Sequence, residues 1–81
     1  MRLDKYLKIS RLVKRRTLAK EIADKGRIEI NNRPAKSSTA VNVGDKITIH
    51  YGDKIVAVEV LQIAENVKKN AATDLYKILA K

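Results

Sequence analysis

The chain has 81 residues, no cysteine, one histidine and a formal net charge of +9 at pH 7. That length allows one small domain, and the missing thiols exclude disulfides, thiolate metal sites and cysteine nucleophiles. The charge is lopsided, with twelve Lys and Arg against four Asp and Glu in residues 1–36 and six against five in the rest. A one-sided basic surface of this kind attracts a polyanion, nucleic acid first of all.

The first element is a short helix. Leu3, Tyr6 and Leu7 give it an apolar face, with Asp4, Lys5 and Lys8 on the other, and it is expected to end near Ser10. From Arg15 to Lys25 a second helix follows. Leu18, Ala19, Ile22 and Ala23 form its apolar stripe and Lys20, Glu21, Asp24 and Lys25 turn outward. Gly26 supplies the stop, because the left-handed conformation that closes a helix costs glycine no Cβ clash.

Arg27-Ile28-Glu29-Ile30 then alternates as a strand, and Asn31-Asn32 suits a tight hairpin turn. Residues 33–43 hold the single proline, Pro34, and a Ser-Ser-Thr cluster, and are expected to form a short strand and a surface loop. Val43-Gly44-Asp45 is a turn feeding a strand through Ile47, Ile49 and Tyr51. Gly52-Asp53 turns the chain into another strand over Ile55–Ile63. Asn66–Thr73 reads as loop and Leu75–Leu79 as a last strand. The expected fold class is therefore α+β, two short N-terminal helices packed on a small antiparallel sheet. The expected domain is single, 1–81, with a core motif over about 1–63 and a C-terminal strand extension over 64–81.

No apolar run approaches the ~20 residues of a membrane span, and Met1 leads straight into charged residues. A cytoplasmic, soluble chain is expected. With Tyr6, Tyr51 and Tyr76 as the only aromatics, the core must consist of Leu, Ile, Val and Ala.

The candidate RNA-binding residues are Arg2, Lys5, Arg11, Lys14, Arg15, Arg16, Lys20 and Arg27. Arginines add bidentate hydrogen bonding and base stacking to plain charge, whereas Lys14 contributes general field. An ordinary solvated face is the bland alternative, weakened here by the scarcity of compensating acids. Asp4 either orients Arg2 or Lys8, or sits in the first turn for the helix dipole. Tyr6 shares the Leu3 and Leu7 side and is assigned to the core. Gly26 and Gly44 are assigned to caps and turns, and Asp45 and Asp53 to turn hydrogen bonds. His50 lies in an alternating strand as a half-exposed spacer. No Gly-rich phosphate loop, metal-ligand cluster or Ser/His/Asp set is present, so no catalytic residue, metal or cofactor is assigned and a non-enzymatic role is expected.

The string Arg16, Ala19, Ile22, Gly26-Arg27-Ile28, Ile30-Asn31, then Val43-Gly44-Asp45 and Ile47, resembles the small RNA-binding domain of the ribosomal protein S-four type. The similarity spans residues 1 to about 63, and Arg16 matches the arginine that opens the second helix of that family. The opening, MRLDKYLKISRLVKRRTLAKEIADKGRIEINN, is similar to stand-alone members acting in bacterial ribosome quality control, and more distantly to the heat-shock ribosome-rescue members. The resemblance implies large-subunit rRNA and P-site tRNA as partners. It also implies work on large ribosomal subunits carrying nascent-chain tRNA, beside a template-free tailing factor that adds alanine. A monomer is expected, with no membrane. A ribosome-rescue role or another rRNA or tRNA target within the family stays open. So does a polyanion or membrane-surface binder, although the apolar stripe is narrow and lacks Trp and Phe. A regulatory enzyme subunit would need an acidic or apolar docking patch, which the sequence does not offer.

Overall fold

The computed structural model describes residues 1–65 and 67–80. Two helices, α1 (Leu3–Ile9) and α2 (Arg16–Asp24), precede five strands: β1 (Ile28–Ile30), β2 (Arg33–Pro34), β3 (Lys46–Tyr51), β4 (Lys54–Val60) and β5 (Tyr76–Ala80). All neighbours are antiparallel, in the order β2-β1-β3-β4-β5. The helices cover one face of the sheet, and Leu3, Tyr6, Leu7, Ala19, Ile22 and Ala23 meet Ile28, Ile30, Ile47, Ile49, Val58 and Val60 in a single core.

Local chemistry explains the boundaries. At the end of α2 the Gly26 amide donates to the Ala23 carbonyl at 3.0 Å and the Arg27 amide to Ile22 at 3.2 Å, with Gly26 at φ +80°. This paired closure satisfies carbonyls that the helix leaves free. Asn31 and Asn32, at φ 53° and 67°, make the two-residue turn between β1 and β2. Asn31 also ties down the turn that begins β3. Its side chain donates to Asp45 Oδ1 at 3.1 Å and accepts from the Lys46 amide at 3.0 Å, while Asp45 Oδ2 accepts from the Asn42 amide at 2.8 Å. The asparagine after the first strand and the aspartate after Gly44 are therefore two halves of one hydrogen-bonded corner, which explains why the two sequence motifs occur together.

Besides the burial of Asp4, described below, the structure departs from the sequence expectation at four places. Leu18 is 42% exposed, because a stripe centred on Ala19, Ile22 and Ala23 leaves it about 90° round the helix at 100° per residue. The 33–43 loop is no mere surface excursion: Ala35, Ser37 and Val41 are buried, and the loop zips along the N-terminus. There the Leu3 amide donates to Thr39 at 2.9 Å, Asp4 to Ser37 at 3.1 Å and Val41 to Met1 at 2.8 Å. The first two bonds satisfy the first free amides of α1. β4 ends at Val60 rather than Ile63, since the Leu61 and Gln62 amides turn to the Leu75 carbonyl at 2.8 and 3.1 Å. In place of most of the expected 66–73 loop and the first residue of the expected last strand, a 3₁₀ helix occupies Lys69–Leu75 and buries Ala72 and Leu75; Asn66 lies outside the described residues.

A pair of truncations tests the placement of the stripe. Ile22→Ala should lose about 2–5 kcal/mol in urea unfolding through the cavity it leaves, and Leu18→Ala only about 0.5 kcal/mol or less, as for a surface change. Equal losses would mean that Leu18 belongs to the core.

Candidate nucleic-acid interface

The basic residues are organised around one buried acid. Asp4, on the first turn of α1, is 3% exposed, not on the solvent face that the helical pattern suggested. Arg2 meets it through Nε at 3.2 Å to Oδ1 and through Nη2 at 3.3 Å to Oδ2. Arg16, the first residue of α2, meets it through Nε at 3.4 Å to Oδ2 and through Nη2 at 3.5 Å to Oδ1. The Lys5 amide adds a bond to Oδ1 at 2.8 Å. One carboxylate thus grips two guanidiniums, one from the residue that caps α1 and one from α2, and leaves the Nη1 group of each outside the ion pair. Lys8 takes no part in it.

Burial raises the Asp4 pKa, but the hydrogen bonds from Arg2 and then Arg16 outweigh it, so the carboxyl stays below its ordinary value. Both arginine side chains remain half exposed, at 50% and 49%. With Asp4, Thr17 and Lys20 they line an open depression of about 260 Å³. Lys20 lies one turn beyond Arg16 on the same face of α2. Three cations against one acid, with a hydroxyl at hand, form a preorganised seat for an anionic oxygen group. A larger groove of about 620 Å³ along Asp53, Lys54, Ile55 and Val56 pairs its lone cation with an acid, so charge favours the smaller depression.

The other predicted residues sit around this centre. Arg11, Lys14 and Arg15 are exposed on the connection between the helices. Arg11 adopts φ 65° in the position after the Ser10 cap of α1, where glycine is the cheaper residue. Arg15 is the N-cap of α2, without a side-chain cap bond, and the first turn holds no acid. Cations at a helix start oppose the macrodipole at a cost of about 0.3–1 kcal/mol each, a local penalty consistent with an anionic partner. Arg27 is exposed at the corner after α2, and its carbonyl accepts from the His50 amide at 2.8 Å. Lys5 differs from the rest because its ammonium is engaged by Glu65 in an ion pair. Residue spacing did not single out Thr17. Its only sequence signal is its place next to Arg16 in the first turn of α2.

Supporting contacts hold these elements still. The Tyr51 hydroxyl donates to the Leu12 carbonyl at 3.1 Å, fixing the interhelical connection. Asp24 accepts from the Ser37 amide at 3.0 Å and its hydroxyl at 3.2 Å, joining the end of α2 to the returning loop. Tyr6 is fully buried, as its spacing implied, and its hydroxyl donates to the Leu75 carbonyl at 2.9 Å; burial, then the neighbouring Tyr76, push its pKa up to about 12. His50 is half-buried and bonded through Nε2 to Glu29 at 2.9 Å. Among the described residues no group of three or more His, Cys, Asp or Glu could hold a metal, and no helix is long and apolar enough to cross a membrane.

A helix pair with a clamped arginine couple, docked on an antiparallel sheet, defines a small α+β module with a preorganised cationic face. The S4 domain family matches residues 1–47, which include that helix pair. The RQC P-site tRNA stabilizing factor of Bacillus subtilis (strain 168) is 54% identical over 79 residues, covering 98% of this chain and 92% of that protein. The protein of the same name from Listeria innocua serovar 6a is 56% identical over 79 residues, covering 98% and 86%. Among solved structures, the trimeric heat shock protein 15 of Vibrio cholerae superimposes with a TM-score of 0.89 at 31% identity, covering 99% of this chain and 82% of that one. The chain belongs to the S4-domain family, in the group of the RQC P-site tRNA stabilizing factors.

The lowered Asp4 pKa sets a pH dependence. A folded value below the ordinary 3.8 means that the stabilisation is complete above that pH and disappears as pH falls through the folded value. Asp4→Asn should be less stable than wild type at pH 6 by about 1–3 kcal/mol, the range for charge-assisted hydrogen bonds. The gap should narrow as thermal unfolding is followed to pH values below 3.8. Parallel curves over that range would show that the carboxylate charge does not hold the arginine pair.

Proposed function

We propose that this protein is a non-enzymatic RNA-binding factor of ribosome-associated quality control in the cytoplasm. It binds large ribosomal subunits obstructed by nascent-chain tRNA, touches large-subunit rRNA through its helix pair, and stabilises P-site peptidyl-tRNA. A template-free tailing factor meanwhile extends the stalled chain with alanine. The carrying observation is the Asp4-gripped pair of Arg2 and Arg16 beside Thr17 and Lys20. It lies within residues 1–47, in a chain more than half identical to factors named for P-site tRNA stabilisation.

In this reading Arg2, Arg16 and Lys20 take one stretch of backbone phosphates, and Arg11, Lys14, Arg15 and Arg27 extend the contact across the interhelical connection and the α2–β1 corner. Phosphate contacts position a protein on RNA without reading its sequence, which suits a factor that must recognise the shape of an exposed subunit face. The rescue role associated with the heat-shock relatives has weaker support, since the identity to the Vibrio protein is 31% against 54% for the Bacillus factor.

Two measurements test this function. With four to six phosphates neutralised, log K against log salt should have a slope on the order of −3 to −5. Arg16→Ala should weaken binding to isolated large subunits by about 1–3 kcal/mol and also lower the thermal midpoint, because it removes one of the two guanidiniums on the buried Asp4; a flat salt titration, or wild-type pelleting by a folded Arg16→Ala, would reject the interface.

The cellular role has its own readout. Affinity purification should recover large subunits with tRNA and few small subunits, and gene deletion should abolish C-terminal alanine tails on stalled chains. An Arg2→Ala/Arg16→Ala variant should fail to restore those tails. Normal tailing in the deletion strain would reject the quality-control role while leaving RNA binding intact.

A further inference from the structure

The S4 match ends at residue 47, yet the C-terminal part of the chain reaches back to the cationic face. Ala64 and Val67 pack against the core on either side of Glu65, and the Leu75 carbonyl receives the Tyr6 hydroxyl from α1. This anchoring brings the Glu65 carboxylate onto the Lys5 ammonium, sixty residues away in sequence, while both groups remain open to solvent, with side-chain exposures of 69% and 37%. Lys5 follows Asp4 directly in α1 and its amide donates to that carboxylate, but its side chain does not line the depression formed by Arg2 and Arg16; its ammonium is a separate cation on the same helix. Lys5 and then the N-terminal ammonium hold the Glu65 carboxyl below its ordinary pKa.

We propose that Glu65 is a specificity-determining residue, a built-in competitor that occupies Lys5 until RNA presents a phosphate there. This rests on the RNA-binding reading above and assigns a task to the segment beyond the matched domain. An exposed ion pair is weak, so a phosphate in the correct place can displace it. An RNA that lacks a phosphate at that place meets a neutralised lysine and a repelling carboxylate. The effect is to lower binding of arbitrary RNA more than binding of a shaped target. Such discrimination by an unfavourable charge is a common route to specificity.

The test compares wild type, Glu65→Gln, Lys5→Gln and the double variant, with a single-stranded uridine homopolymer and purified large subunits as probes. Glu65→Gln should bind the homopolymer about two- to fivefold more tightly, the scale of an exposed ion pair, with a salt slope steeper by about one. Its gain on large subunits should be smaller. In the Lys5→Gln background the Glu65 change should lose most of its effect, which a charge-field effect alone would not do. Unchanged or weaker homopolymer binding by Glu65→Gln, above all with a lowered thermal midpoint, would overturn the proposal and leave Glu65 as a mere anchor. Arg16→Ala, measured alongside, separates the two levels: if it weakens binding while Glu65→Gln has no effect, only the competitor role fails; if Arg16→Ala has no effect either, the interface itself is wrong.

Discussion

The arrangement of the cationic face depends on the grip of one buried carboxylate on two guanidiniums. Without Asp4, Arg2 and Arg16 would be two long side chains repelling each other across the junction of α1 and α2. With it, each is held in one orientation by hydrogen bonds of 3.2–3.5 Å. A charge left only 3% exposed is tolerable only when its hydrogen bonds are fully made, and here no buried side-chain nitrogen or oxygen among the described residues lacks a partner. The same carboxylate also fixes the start of α1 through the Lys5 amide. One residue thus couples the helix pair as a fold element to the helix pair as a surface.

That coupling is backed by the rest of the chain. The returning loop closes onto the first amides of α1, Asp24 and Ser37 join α2 to the same loop, and Tyr6 reaches the end of the 3₁₀ helix. Short helices of seven and nine residues are marginal on their own, and tertiary packing supplies what their length does not. The sheet and the C-terminal segment therefore act as a rigid mount for α1 and α2. A preorganised mount lowers the ordering cost of binding.

Most of the architecture was legible because its signals are local. The period of Leu3, Tyr6 and Leu7, the closing glycine at 26, the Asn31-Asn32 turn and the alternation through Ile47 and Ile49 each depend on residues within one turn or hairpin. What escaped depends on partners far away in sequence. That Asp4 orients Arg2 is legible two residues away, but its burial and its second partner, Arg16 from the next helix, are not, and the Lys69–Leu75 stretch looks like loop until Tyr6, 69 positions before Leu75, binds its last carbonyl. Lys5 carries the same lesson for the site, since nothing near it in sequence signals an acid sixty positions later. Charge counting grouped it with Arg2 and Arg16, whereas the fold gave it a different neighbour.

The remaining tension lies at the start of α2, where Lys14, Arg15 and Arg16 stand against the positive end of a helix that has no acid in its first turn and no side-chain cap. Stability alone would place Ser, Asp or Glu there. Arg11 adds a second local penalty by taking a left-handed backbone that suits glycine. Both departures fall on the same connection between the helices, and both place cations in solvent. Asp4 balances only part of this charge. On the proposed function, RNA phosphates provide the rest, so the unfavourable electrostatics of the free protein are relieved on binding. On that reading, local fold rules are broken here because binding rather than folding sets the demand on sequence at the cationic face.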